Sequence, residues 1–76
     1  MIDYLKIADN WRKEHPYESS SGYVLIFGVI PWTWQKELPD PATVLPGNRA
    51  ISVDGEIFIA MNGNNMDKAY WKKIEK

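Results

Sequence analysis

The chain has no cysteine and a single histidine in 76 residues. No disulfide can staple it, which fits a reducing compartment. There is no thiolate nucleophile, and a zinc site, which wants clustered Cys and His, is not expected. Charge of one sign is also missing. Nine Lys and Arg stand against ten Asp and Glu, a formal net charge of -1. Such a balance gives no global basic field to draw in nucleic acid or an anionic membrane. No apolar run approaches the roughly 18 residues of a spanning helix. The opening Met1-Ile2-Asp3-Tyr4-Leu5-Lys6 lacks a basic segment followed by an apolar one, so it does not read as a signal peptide. A cytoplasmic protein with no membrane association is expected.

What the chain has is aromatic surface: four Trp, four Tyr and two Phe. One domain spanning residues 1–76 is expected, with a limited core. Aromatic side chains, each burying a large area, are its main source of stability.

The organising stretch is Gly22 to Ile30, Gly-Tyr-Val-Leu-Ile-Phe-Gly-Val-Ile. It is apolar on both faces and rich in β-branched and aromatic residues. It is also bounded by Gly22 and Pro31, so it reads as one strand covered on both sides. Gly28 reads as a hole in one of those faces. Residues 2–14 read as a helix, because Met1, Tyr4, Leu5, Ala8 and Trp11 recur at helical spacing. Asp3 sits at its positive end, Arg12, Lys13 and His15 lie near the negative end, and Pro16 stops it. Ile7 lies off the stripe and is expected to be exposed or to touch a partner.

Pro31-Trp32-Thr33-Trp34 is expected to end the strand or carry it on as an edge. Its two Trp point the same way if the backbone stays extended. Gln35 to Asn48, with Pro39, Pro41 and Pro46, reads as an ordered, irregular loop held by Leu38, Val44 and Leu45. Asp54-Gly55 between β-rich runs predicts a two-residue hairpin that pairs Ser52 with Ile57 and Ile51 with Phe58. Asn64 or Asn65 is expected to cap a final helix from Met66 to about Glu75. The predicted fold is therefore α+β: an α-β-β-β-α domain, its three-stranded antiparallel sheet packed by N- and C-terminal helices.

Catalytic chemistry finds little here. His15 has no evident orienting carboxylate beside Ser19, Ser20 and Ser21, and reads as a helix-end residue. The Asn62-Gly63-Asn64-Asn65-Met66-Asp67 segment lacks the spaced acids of a Ca²⁺ loop, and it lacks the Lys of a phosphate cradle. No enzyme, cofactor or metal is expected. Lys68, Lys72, Lys73 and Lys76 around Trp71 give a basic, aromatic final helix that suits single-stranded nucleic acid.

The second half of the chain, with Pro46-Gly47, Ala50, Asp54-Gly55, Ala60, Gly63-Asn64, Ala69 and Trp71, resembles small uncharacterised phage and prophage accessory proteins. The resemblance implies a context in which small Cys-free proteins bind host proteins, as anti-CRISPR and other counter-defence inhibitors do. It carries no active-site residues with it. The expected function is a non-enzymatic protein-binding module, an inhibitor or adaptor acting on a host (defence) or phage protein complex. The expected contacts are Trp32, Trp34, Leu38, Val44, Leu45 and Trp71, with Asp40, Lys68 and Lys72 at the rim, since Trp and Tyr dominate hot spots. The alternatives are a single-stranded nucleic-acid binder using the final helix, and a small homo-oligomer, for instance a homodimer through a sticky sheet face.

Overall fold

The computed structural model describes residues 2–16, 21–62 and 69–74. Helix α1, Tyr4–Glu14, is followed by strands β1 Tyr23–Phe27, β2 Ile30–Gln35, β3 Arg49–Ser52, β4 Ile57–Met61 and β5 Tyr70–Ile74. The strands form one antiparallel sheet in the order β2-β1-β3-β4-β5.

Helix α1 starts where the Asp3 carboxylate accepts a hydrogen bond from the Lys6 N–H, satisfying one of the free donors of the first turn. The helix lies on one face of the sheet. Ala8 packs there with Val24, Ile26 and Ile51, and Leu5, Ile7, Trp11, Trp34 and Ile57 close around them. Ile7 is thus part of the packing, not a free surface residue. The Arg49 guanidinium lies 4.3 Å over the ring of Tyr4 on this same face.

The other face carries Leu25, Ala50 and Ala60, which are as fully buried as the residues beneath the helix. Strand alternation puts these three opposite Val24, Ile26 and Ile51. The segment between β2 and β3 crosses this face, so the domain has three layers: helix, sheet and loop. Both faces of β1 are covered, as its unbroken apolar run requires.

Four features differ from the sequence expectation. The Gly22–Ile30 run is not one strand. Gly28, at φ +66°, occupies the first central position of a tight turn, and β2 folds back on β1 with Phe27 opposite Ile30. A Gly-X pair is the II′ hairpin pattern. It was masked here because both flanks are equally apolar.

The second hairpin also shifts. The Gly55 N–H bonds the Ser52 carbonyl at 3.0 Å and the Ser52 N–H bonds the Glu56 carbonyl at 2.9 Å, so the loop has three residues, with Gly55 at φ +86°. This is a turn closed by a left-handed Gly bulge. Ile51 consequently pairs with Ile57, and Ala50 with Phe58.

The third difference is at the end of the described chain, where residues 70–74 form β5 instead of a helix. The sheet therefore has five strands, not three, and among the described residues α1 is the one α-helix packed against it. Tyr70 and Trp71 favour strand, and pairing gives each residue of β5 a partner on β4. Lys73 meets Glu56 at 2.7 Å across the sheet. The expected Asn caps and Lys68 lie outside the described residues.

The fourth difference decides where the Trp side chains go. Thr33 pairs with Leu25 and Pro31 with Ile26, which leaves Trp32 as an extra, unpaired residue. This bulge breaks the alternation of β2. Trp32 and Trp34 therefore serve different faces: Trp34 the helix side, Trp32 the loop side.

Candidate functional site

The loop layer is built by local turns. The Asp40 carboxylate accepts from the Ala42 N–H at 3.0 Å, and the Asp40 carbonyl accepts from the Thr43 hydroxyl at 2.6 Å. These bonds cap a single 3-10 turn, Pro41–Thr43. Leu45-Pro46-Gly47-Asn48 is a second turn. The Leu45 carbonyl accepts from the Asn48 N–H at 3.2 Å, and Gly47 stands at φ +94°. Pro followed by a left-handed Gly is the type II pattern.

Asn48 joins this turn to the sheet and is almost completely buried. Its carbonyl accepts from the Ala60 N–H at 2.9 Å, its amide nitrogen donates to the Leu45 carbonyl at 2.9 Å, and its amide oxygen accepts from the Trp32 indole at 2.7 Å. Farther along, the Trp71 indole on β5 donates to the Pro39 carbonyl at 2.8 Å. Two indoles thus pin the loop at two places.

Between the β1–β2 hairpin and residues 43–48 lies an open groove of about 420 Å³. Phe27, Ile30, Trp32, Val44 and Leu45 line it, with Thr43 and Asn48 as its polar contributors. Four of these apolar side chains stay substantially exposed: Phe27 46 %, Ile30 62 %, Trp32 49 % and Leu45 64 %. Val29, at the hairpin tip beside them, is exposed too. Scattered apolar residues are ordinary on a protein surface, whereas a clustered patch marks a binding site.

The sequence-predicted contacts separate into three groups. Trp32, Val44 and Leu45 meet at the groove. Trp34 is drawn into the helix side, where its indole donates to the Ser21 carbonyl at 2.9 Å, and Trp71 is tied to Pro39. Leu38 is half-buried, while Asp40 caps the 3-10 turn and stands exposed. Lys72 and Lys73 alternate to opposite faces of β5, which disperses the basic, aromatic stripe expected of a helix.

Phe27, Val29 and Ile30 were not expected at the site. The Gly28 turn was the signal for them, because it sets Phe27 and Ile30 side by side. Arg12 was read only as a helix-end charge. It is buried, and its guanidinium donates to the carbonyls of Ser21 at 3.2 Å, Gly22 at 3.3 Å and Ile51 at 2.9 Å. Burial lowers its pKa from the usual value, and Asp9 partly offsets this. The missed signal was its spacing, four residues beyond Ala8 and seven beyond Leu5, which puts Arg12 on the inward face of the helix.

A second, polar groove runs between α1 and the β3–β4 turn, beside Asp3, Asp9 and Asp54. Among the described residues no group of three His, Asp or Glu is arranged to hold a metal ion, and no helix is long and apolar enough to cross a membrane. His15 stacks on Trp11 with centroids 3.9 Å apart, and its Nδ1 lies 2.8 Å from the Trp11 carbonyl, as suits a helix end. Comparison of the chain with protein-family models, curated proteins and solved structures finds no match.

Proposed function

We propose that this chain is a small non-enzymatic protein-binding module whose contact surface is the groove beside the β1–β2 hairpin. One observation carries the reading. In a domain short of apolar material, Phe27, Ile30, Trp32 and Leu45 are left exposed together around one concavity. A small core would gain by burying them, so their exposure is better explained by a partner than by folding. Trp32, central among them, is of the residue type that most often anchors an interface.

The resemblance to small phage and prophage proteins directs the choice of partner. The module is proposed to act as an inhibitor or adaptor on a host or phage protein complex in the cytoplasm. The test is capture of partners from bacterial lysate with the tagged chain at moderate and high salt. A stoichiometric protein, retained at high salt and lost when Leu45→Asp or Ile30→Asp is used as bait, supports the reading. A partner retained equally by both variants refutes this surface, and recovery of nucleic acid alone, released by salt, refutes the module itself.

A further inference from the structure

We infer that the groove receives the apolar face of an amphipathic helix carried by another protein, an inference that rests on the protein-binding reading above. The walls of the groove define this occupant.

Charge comes first. Among the described residues no charged side chain lines the groove. Its polar groups are already engaged internally: the Thr43 hydroxyl with Asp40, the Trp32 indole with Asn48, and the Asn48 amide with both Trp32 and Leu45. A carboxylate, ammonium or unpaired amide entering here would lose water and find no hydrogen bond in return. The complementary surface is therefore uncharged and apolar.

The backbone narrows the choice further. An extended peptide adds to a protein by hydrogen-bonding a free strand edge. Along this groove the N–H groups of Thr43, Val44 and Asn48 donate to Asp40, Pro41 and Leu45. Pro46 has no N–H, and Pro31 with the Trp32 bulge interrupts the neighbouring strand. A strand laid here would meet no continuous ladder of free donors and acceptors. A helix closes its backbone bonds within itself and presents only side chains, at i, i+3 or i+4, and i+7. Ile30 on the hairpin and Leu45 on the loop, the two most exposed large apolar side chains, stand on opposite walls to receive them.

A second copy of the chain does not supply this helix from its described residues. α1 is the one α-helix among them, and its apolar side chains Leu5, Ala8 and Trp11 are packed on its own sheet. No described segment of a second copy offers such a face, and the helix is assigned to a different protein.

The test is selection of displayed random peptides of about 15 residues, four helical turns, against the full chain, with counter-selection against Leu45→Asp. Enriched peptides are expected to carry Leu, Ile, Phe or Met at helical spacing. A central proline in the peptide, or Ile30→Asp in the protein, should weaken binding about tenfold or more. High salt should leave binding unchanged. Enriched peptides that alternate or are Pro-rich, and that tolerate the central proline, overturn the helix while leaving the groove as a binding surface. No enrichment dependent on Leu45 and Ile30 overturns both readings. A dimer mass in solution that Leu45→Asp abolishes assigns the groove to a second copy and overturns the inference.

Discussion

The indole of Trp71 and the carbonyl of Pro39 meet at 2.8 Å across a sequence separation of 32 residues. β5 thereby holds the far end of the loop layer, while Trp32 and Asn48 hold the near end. Replacing Trp71 with Phe keeps the ring and removes the donor. The expected cost is about 1 kcal/mol in chemical denaturation, a typical net value for one hydrogen bond. Trp71→Ala should cost about 3 kcal/mol or more and speed exchange of the Asp40, Ala42 and Thr43 amides.

Gly22 and Gly47 both sit at positive φ, +81° and +94°, and make a controlled pair. A Cβ at Gly22 would collide with the indole of Trp34, whereas one at Gly47 meets open space. Gly47→Ala is expected to cost about 1 kcal/mol, from left-handed strain alone. Gly22→Ala carries the same strain plus an overpacked indole, roughly 2–4 kcal/mol. Equal thermal midpoints for the two variants would contradict this account.

Arg12 crosses from α1 to three carbonyls, one of them on β3, 39 residues away. Arg12→Ala should destabilise by about 3 kcal/mol, because buried acceptors lose a charged donor. Arg12→Lys should recover part of that at most, since an ammonium cannot reproduce the planar fork. Full recovery by Lys, read by urea unfolding, would show that charge alone suffices.

Leu45→Asp and Ile30→Asp change exposed side chains that hold little of the fold. Both are expected to leave unfolding free energy within about 0.5 kcal/mol of the parent. Partner binding should fall by about 2 kcal/mol or more. Circular dichroism melts beside a binding isotherm separate the two effects.

Much of the fold was legible where one physical signal acted alone. α1 followed from its apolar stripe and its stop at Pro16, and β1, β3 and β4 followed from short β-branched runs. The reading failed where two signals coincided. Met66, Ala69, Tyr70 and Ile74 allow an inward helical stripe and Lys68, Lys72 and Lys76 an outward one, but Tyr70 and Trp71 gain more by pairing with Met61 and Ala60, and tertiary pairing overrides a short pattern. Gly28 was hidden inside an apolar run that serves two strands. The groove residues Trp32, Val44 and Leu45 were foreseen from their chemistry. Phe27 and Ile30 could not be, because their adjacency depends on that turn.

The unpaired residue in β2 also changes what kinds of mutation this edge tolerates. Trp32→Ala would remove one ring and one hydrogen bond, leaving the order of faces intact. Deleting Thr33 is a different lesion. It would remove the offset between Leu25 and Ile26, restore strict alternation and set Trp32 opposite Leu25, so that Trp32 keeps the loop side and Trp34 the helix side. A single-codon loss at the bulge should therefore cost less than one elsewhere in this strand, and a scan of such losses would locate the extra residue directly.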